Sequence, residues 1–251
     1  MDDLDQEVQA LRNELAFSQG HKEEASMANS LKVAAQLHPG AIAVACFSRA
    51  GLEESSITYS HLYTWSSAIA RSLIEAYGTR LLAPNSGSIN RPLVALSIDG
   101  GALLPLAIAA CWLAGFAIMP VDAMDSSTRL SILLRDARPA LILALQPQLS
   151  SLQRAAAEAY RNFEVNTLNS WSVAIEVVDF GAVAAMTEPL EASEGGCITD
   201  AQIDVYDEQE SSKDVAYIWY TSGSTGAPKG CVVPHGSLQT YAAARNMVHR
   251  I

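Results

Sequence analysis

Apolar positions along this chain follow two rhythms in alternation, and the alternation predicts a layered arrangement of helices on a sheet. From residue 30 onward, AIAVACF at Ala41 to Phe47 and PLVALSI at Pro92 to Ile98 are compact apolar runs of strand length. Between them Tyr59 to Tyr77 has helical periodicity behind a capping Thr58. A helix over Leu103 to Leu113 leads into the strand FAIMPVD, with Gly115 and Pro120 as helix stop and strand end. A further helix over Ser127 to Asp136 must end before Pro139, and ALILAL at Ala140 to Leu145 makes the next strand. Leu149 to Tyr160 is Ala-rich and helical, and VAYIWYTS at Val215 to Ser222 is a strand running directly into a loop of glycines and hydroxyls. GCVVPH follows as another strand, then a helix from about Ser237.

The two ends of this pattern behave differently. Residues 1–29 place Leu4, Val8, Leu11 and Leu15 at helical spacing among acidic and amide side chains, an acidic helical extension outside the main domain of 30–251. Residues 188–212 are polar, acidic and sprinkled with Gly and Ser, which predicts a flexible surface loop. No repeat of solenoid length is present.

Composition narrows the function. With 251 residues, 49% of them hydrophobic and 17% charged, the chain has ample material for a core. A formal net charge of −11 argues against a general role on nucleic acid or an anionic membrane, both of which need clustered Lys and Arg. Cys46, Cys111, Cys197 and Cys231 are scattered, with no CxxC pair and no His at zinc-ligand spacing, so no metal site is expected and reduced thiols are. The acidic start MDDLDQEVQ fits neither a signal peptide nor an Arg-rich presequence, which sets the expectation of a cytoplasmic protein. The apolar stretch Ala102 to Val121 is interrupted by Pro105, Gly115 and Pro120 and lacks basic anchors, so a buried helix and strand are expected there and no membrane span.

The chemistry concentrates in YTSGSTGAPKG, Tyr220 to Gly230. Glycines let backbone N–H groups converge, the hydroxyls of Thr221, Ser222, Ser224 and Thr225 add neutral donors, and Lys229 adds a mobile positive charge. Phosphate oxygens are the natural guest of such a loop. The P-loop of nucleotide hydrolases needs GxxxxGK followed by Ser or Thr, whereas Lys229 stands three residues after Gly226 and is followed by Gly230, so that pattern fails. A Gly-rich linker would not have apolar strands on both flanks.

VAYIWYTSGSTGAPKGCVVPHGSL resembles the strand, phosphate loop, strand and helix of the adenylate-forming superfamily, which includes acyl-CoA synthetases and the adenylation domains of nonribosomal peptide synthetases. Two upstream stretches, ITYSHLYTWSSAIARSL from Ile57 and CWLAGFAIMPVD from Cys111, resemble earlier motifs of that superfamily in the same order. HPGAIAV at His38 to Val44 resembles the opening segment of peptide-synthetase-like adenylation domains. The apolar positions Leu62, Ala68, Leu113 and Met119 within these motifs are ones a core needs anyway, and Arg129 has Asp125 and Asp136 as candidate ion-pair partners on its own helix.

The resemblance implies the N-terminal part of a layered αβα adenylate-forming domain, truncated after the phosphate-binding loop. It implies ATP with Mg2+ and a carboxylic or amino acid as substrates, and CoA or a carrier protein's phosphopantetheine as acyl acceptor. By the same resemblance Thr221, Ser222, Gly223, Ser224, Thr225, Gly226 and Lys229 hold the ATP phosphates, and His235 either approaches that site from the neighbouring strand end or bonds to backbone. The later motifs, including the lysine of the small C-terminal domain, do not occur before Ile251. The expectation is therefore a partial enzyme, inactive alone, whose cut sheet leaves an unpaired edge. The alternative is a non-catalytic nucleotide-binding or interaction module that keeps only the loop.

Overall fold

The computed structural model describes residues 26–47, 53–81, 91–164, 175–187, 211–221 and 228–249. The acidic extension over 1–25, most of the loop 188–212, and loop residues Ser222 to Ala227 lie outside them.

Helix α1 (Met27–Leu37) is followed by strands β1 (Ile42–Phe47) and β2 (Glu53–Thr58), which pair antiparallel as a small sheet of their own. Helix α2 (Tyr59–Leu81) then leads to β3 (Leu93–Ser97), α3 (Leu103–Leu113), β4 (Ala117–Pro120), α4 (Ser127–Ala137) and β5 (Leu141–Ala144). A short 3-10 turn and α5 (Leu149–Glu164) precede β6 (Glu176–Asp179) and α6 (Phe180–Thr187), and the described chain closes with β7 (Val215–Thr221), β8 (Lys229–Pro234) and α7 (His235–His249).

Among the described residues, six strands form the main sheet in the order β6-β5-β3-β4-β7-β8, parallel throughout except for the antiparallel β7–β8 pair. Every residue of β3 and β5 is buried, because helices cover both faces and a doubly covered parallel strand has no polar side. Alternate side chains sort into two cores. Val94, Leu96, Ile118, Leu141 and Leu143 pack under α2, α3 and α6 with Ile69, Leu73, Leu106, Ala110 and Phe180. Leu93, Ala95, Met119 and Ile142 face the other way, onto Leu130, Leu133 and Leu134 of α4 and Leu152 and Ala155 of α5. The alternation of periods predicts such a layered α/β domain, and its αβα layering is the one that the resemblance implies.

Local signals explain the boundaries. Thr58 caps α2 by accepting the His61 N–H at 3.2 Å, and Ser126 caps α4 by accepting the Arg129 N–H at 3.2 Å. Helix α3 ends in a Schellman turn in which the Gly115 N–H reaches Trp112 O and the Phe116 N–H reaches Cys111 O, each at 2.9 Å. Gly115 sits at φ +73° in that turn, and a Cβ there would lie 3.2 Å from Arg91 Nη1. Arg129 pairs with Asp125 at 3.0 Å one helical turn away, a solvated contact worth about 0.3–0.5 kcal/mol.

Several elements differ from expectation. Helix α1 straddles residue 30: Ser26 accepts the Asn29 N–H, and Ala28 and Ala35 are buried. Helix α7 starts two residues earlier than Ser237, because Asp214 O and Ser212 O accept the His235 and Gly236 N–H groups that a first turn leaves without partners. The strand β6 and helix α6 have no counterpart in the expected elements, since four strand residues of mixed polarity carry no readable period.

Candidate phosphate-binding site

Strand β7 runs parallel to β4, with Tyr217 opposite Ile118, so its end at Thr221 emerges at the carboxyl edge of the sheet. At that edge helix α3, which follows β3, packs in one core, while α4, which follows the neighbouring β4, packs in the other. Adjacent strands whose connections leave to opposite faces open a crevice at the carboxyl edge, the usual ligand position in open parallel sheets. Strand β7 flanks β4 beside this crevice.

The chain then turns back as β8, an edge strand of the sheet among the described residues. The ladder pairs Thr221 with Lys229, Tyr220 with Gly230, Trp219 with Cys231 and Ile218 with Val232. Thr221 and Lys229 are thus held opposite each other at the mouth of the loop, both exposed, with the Thr221 hydroxyl 3.5 Å from Lys229 O. Ser222, Gly223, Ser224, Thr225 and Gly226 lie outside the described residues. As an edge strand β8 is exposed over Lys229 to Val232, and Trp219 beside it is 55% exposed.

The stem of the loop is braced from below. The partly buried Tyr220 ring packs against the core under α4, and its hydroxyl donates to Asp136 Oδ2 at 2.5 Å. Burial first, and then the hydrogen bond to and the charge of Asp136, push the Tyr220 hydroxyl well above the ordinary tyrosine range. Gly230 lies across from this ring, and a Cβ on Gly230 would meet Tyr220 Cζ at 3.2 Å and Ile218 Cγ2 at 3.3 Å. The Tyr220–Asp136 bond joins residues 84 positions apart and was not legible in any motif.

His235 does not join this site. Val215 pairs with Pro234 and Thr221 with Lys229, so His235 stands at the opposite end of the ladder from the loop. It is 1% exposed, its Nδ1 accepts the Met27 N–H at 3.3 Å, and its ring meets Trp112 edge-on with centroids 5.6 Å apart. Six residues of strand carry the chain about 20 Å, which is why closeness in sequence misplaces this side chain.

The other carboxyl-edge loops carry acceptors that are already engaged. Asp99 after β3 accepts from Gln148 Nε2 at 2.8 Å, and Asp122 after β4 accepts the Met124 N–H at 2.8 Å. Among the described residues no three His, Cys, Asp or Glu side chains converge as a metal site. None of the described helices is long and apolar enough to cross a membrane, and the apolar stretch from Ala102 is α3 followed by β4.

Comparison with known proteins gives this geometry a context. Nonribosomal peptide synthetase 7 of Gibberella zeae is 27% identical over 216 residues, which make up 86% of this chain and 4% of that protein. N-(5-amino-5-carboxypentanoyl)-L-cysteinyl-D-valine synthase of Amycolatopsis lactamdurans is 32% identical over 151 residues, or 60% of this chain and 3% of that protein. The solved structure of VinN with L-aspartate shares the fold with a TM-score of 0.64 at 18% identity, covering 92% of this chain and 54% of VinN. The chain therefore spans a small share of these synthetases and about half of VinN. The model of the family described as AMP-binding enzyme matches residues 31–250, and the chain belongs to that family.

Proposed function

We propose that the protein activates a carboxylic acid, with an amino acid as the favoured class, by ATP-dependent adenylation and passes the acyl group to a thiol. The single observation carrying this reading is the β7–loop–β8 hairpin. Its sequence, rich in glycine and hydroxyls with one lysine, is set at the carboxyl edge of a parallel sheet in a chain of the AMP-binding enzyme family. The amino-acid class is supported by similarity to peptide synthetases and to VinN, whose solved complex contains L-aspartate.

In the proposed reaction a carboxylate oxygen attacks the α-phosphorus of ATP, the bond from that phosphorus to the bridging oxygen breaks, and pyrophosphate leaves with the electron pair. Thr221, Ser222, Gly223, Ser224, Thr225 and Gly226 cradle the β- and γ-phosphates, and Lys229 neutralises the charge that grows on them. Magnesium would travel on the triphosphate oxygens, consistent with its habit of binding through phosphates and few protein ligands. The thiol that takes the acyl group is coenzyme A or the phosphopantetheine of a carrier protein, and the setting is the cytoplasm.

Exchange of labelled pyrophosphate into ATP by the full-length protein, across a panel of amino and carboxylic acids, tests this reading. Exchange dependent on one acid or a related group supports it. ATP binding with no exchange across the panel would instead favour a nucleotide-binding module.

A further inference from the structure

Resting on that functional reading, we infer that Tyr220 and Asp136 act together as a positioning pair that fixes the stem of the phosphate loop against helix α4. Tyr220 is the residue before Thr221, and its ladder partner Gly230 is the residue after Lys229, so the pair sits directly beneath the two stem residues assigned to phosphate. The missing side chain of Gly230 lets the Tyr220 ring lie across the ladder, since a Cβ there would press within 3.2 Å of the ring. The hydroxyl then reaches Asp136 Oδ2 at 2.5 Å on a helix whose Leu130, Leu133 and Leu134 are buried. One aromatic ring thereby ties both strands of the stem to an element anchored in the core.

The position of Asp136 supports this role. It lies in the last turn of α4, where the helix dipole disfavours a carboxylate, so the helix gains nothing from its charge. Its bond to Tyr220 supplies a reason for an acid there. A tyrosine hydroxyl is protonated throughout the neutral range, and burial and Asp136 push that of Tyr220 higher still, so it remains a donor to Asp136. Lys229 is exposed at an edge strand, and the brace adds a side-chain tie beneath it to the backbone pairing of β7 with β8 and β4.

The test compares MgATP affinity by calorimetry for the full chain, Tyr220→Phe, Asp136→Asn and the double variant, with a thermal melt of each. Each single variant is expected to lose about threefold to tenfold in affinity, the span of one hydrogen bond, with no fall in melting temperature that tracks the loss. The double variant is expected to be no weaker than either single, because both remove the same bond. Unchanged affinity in Tyr220→Phe overturns the inference, as do additive losses or a change confined to the melt. If the unaltered chain binds no MgATP, the functional reading falls and takes this inference with it, whereas binding that ignores Tyr220→Phe removes only the positioning pair.

Discussion

Arg91 and Asp214, 123 residues apart, form an ion pair at 2.6 Å at the end of the sheet opposite the β7–β8 loop. Their side chains are 15% and 7% exposed, and the same Asp214 oxygen accepts the Ser211 N–H at 2.8 Å. The pair joins the start of β3 to the turn that launches β7 and, through Asp214 O, to the first amide of α7. Removing one partner leaves the other poorly solvated, so Arg91→Ala is expected to destabilise the chain by about 3 kcal/mol in urea unfolding. Combined with Asp214→Asn it should cost less than the sum of the two singles. Additive effects would show that the contact carries no coupling.

Gly115 cannot be replaced cheaply. Its φ of +73° closes the Schellman turn after α3, and the Arg91 guanidinium occupies the space beside it. Gly115→Ala is expected to cost about 1–2 kcal/mol from the left-handed backbone alone, with an added cost if Arg91 is displaced from Asp214. Chemical unfolding measures this directly, and an unchanged midpoint would contradict the turn's role.

The thiols should separate by reactivity. Cys111 is fully buried in α3, and burial pushes it up to about 12, so at pH 8 almost none of it is thiolate. Cys231 lies exposed on the edge strand β8. Brief alkylation of the native protein, read by mass spectrometry of peptides, is expected to label Cys231 and to spare Cys111 until the chain is unfolded. Early labelling of Cys111 would mean that α3 is not packed as described.

Which features were legible in the sequence follows from where a residue's partners lie. Strands β3 and β5 are covered on both faces and so read as continuous apolar runs, while Gly115 and Thr58 announce a local turn and a cap that depend on neighbours within four residues. The layered α/β class follows from those elements, and its αβα form from the resemblance. Helix α7 begins early because its first amides are met by Ser212 and Asp214, a contact no helical period records. His235 illustrates the same limit, since the strand that separates it from Lys229 is what carries it to the far end of the ladder. At the candidate site, the residue types of the loop carry the expectation of phosphate binding, whereas the brace from Asp136 to Tyr220 is a tertiary contact that belongs to no motif.

Calorimetric titration of MgATP into the chain and its Lys229→Ala variant tests most directly the proposed grip of the stem at Thr221 and Lys229 on the phosphates of ATP. A charged contact to phosphate is worth about 1.5–3 kcal/mol, so the variant is expected to bind roughly tenfold to a hundredfold more weakly, with AMP affinity little changed. Equal MgATP affinity in the two proteins would contradict the account.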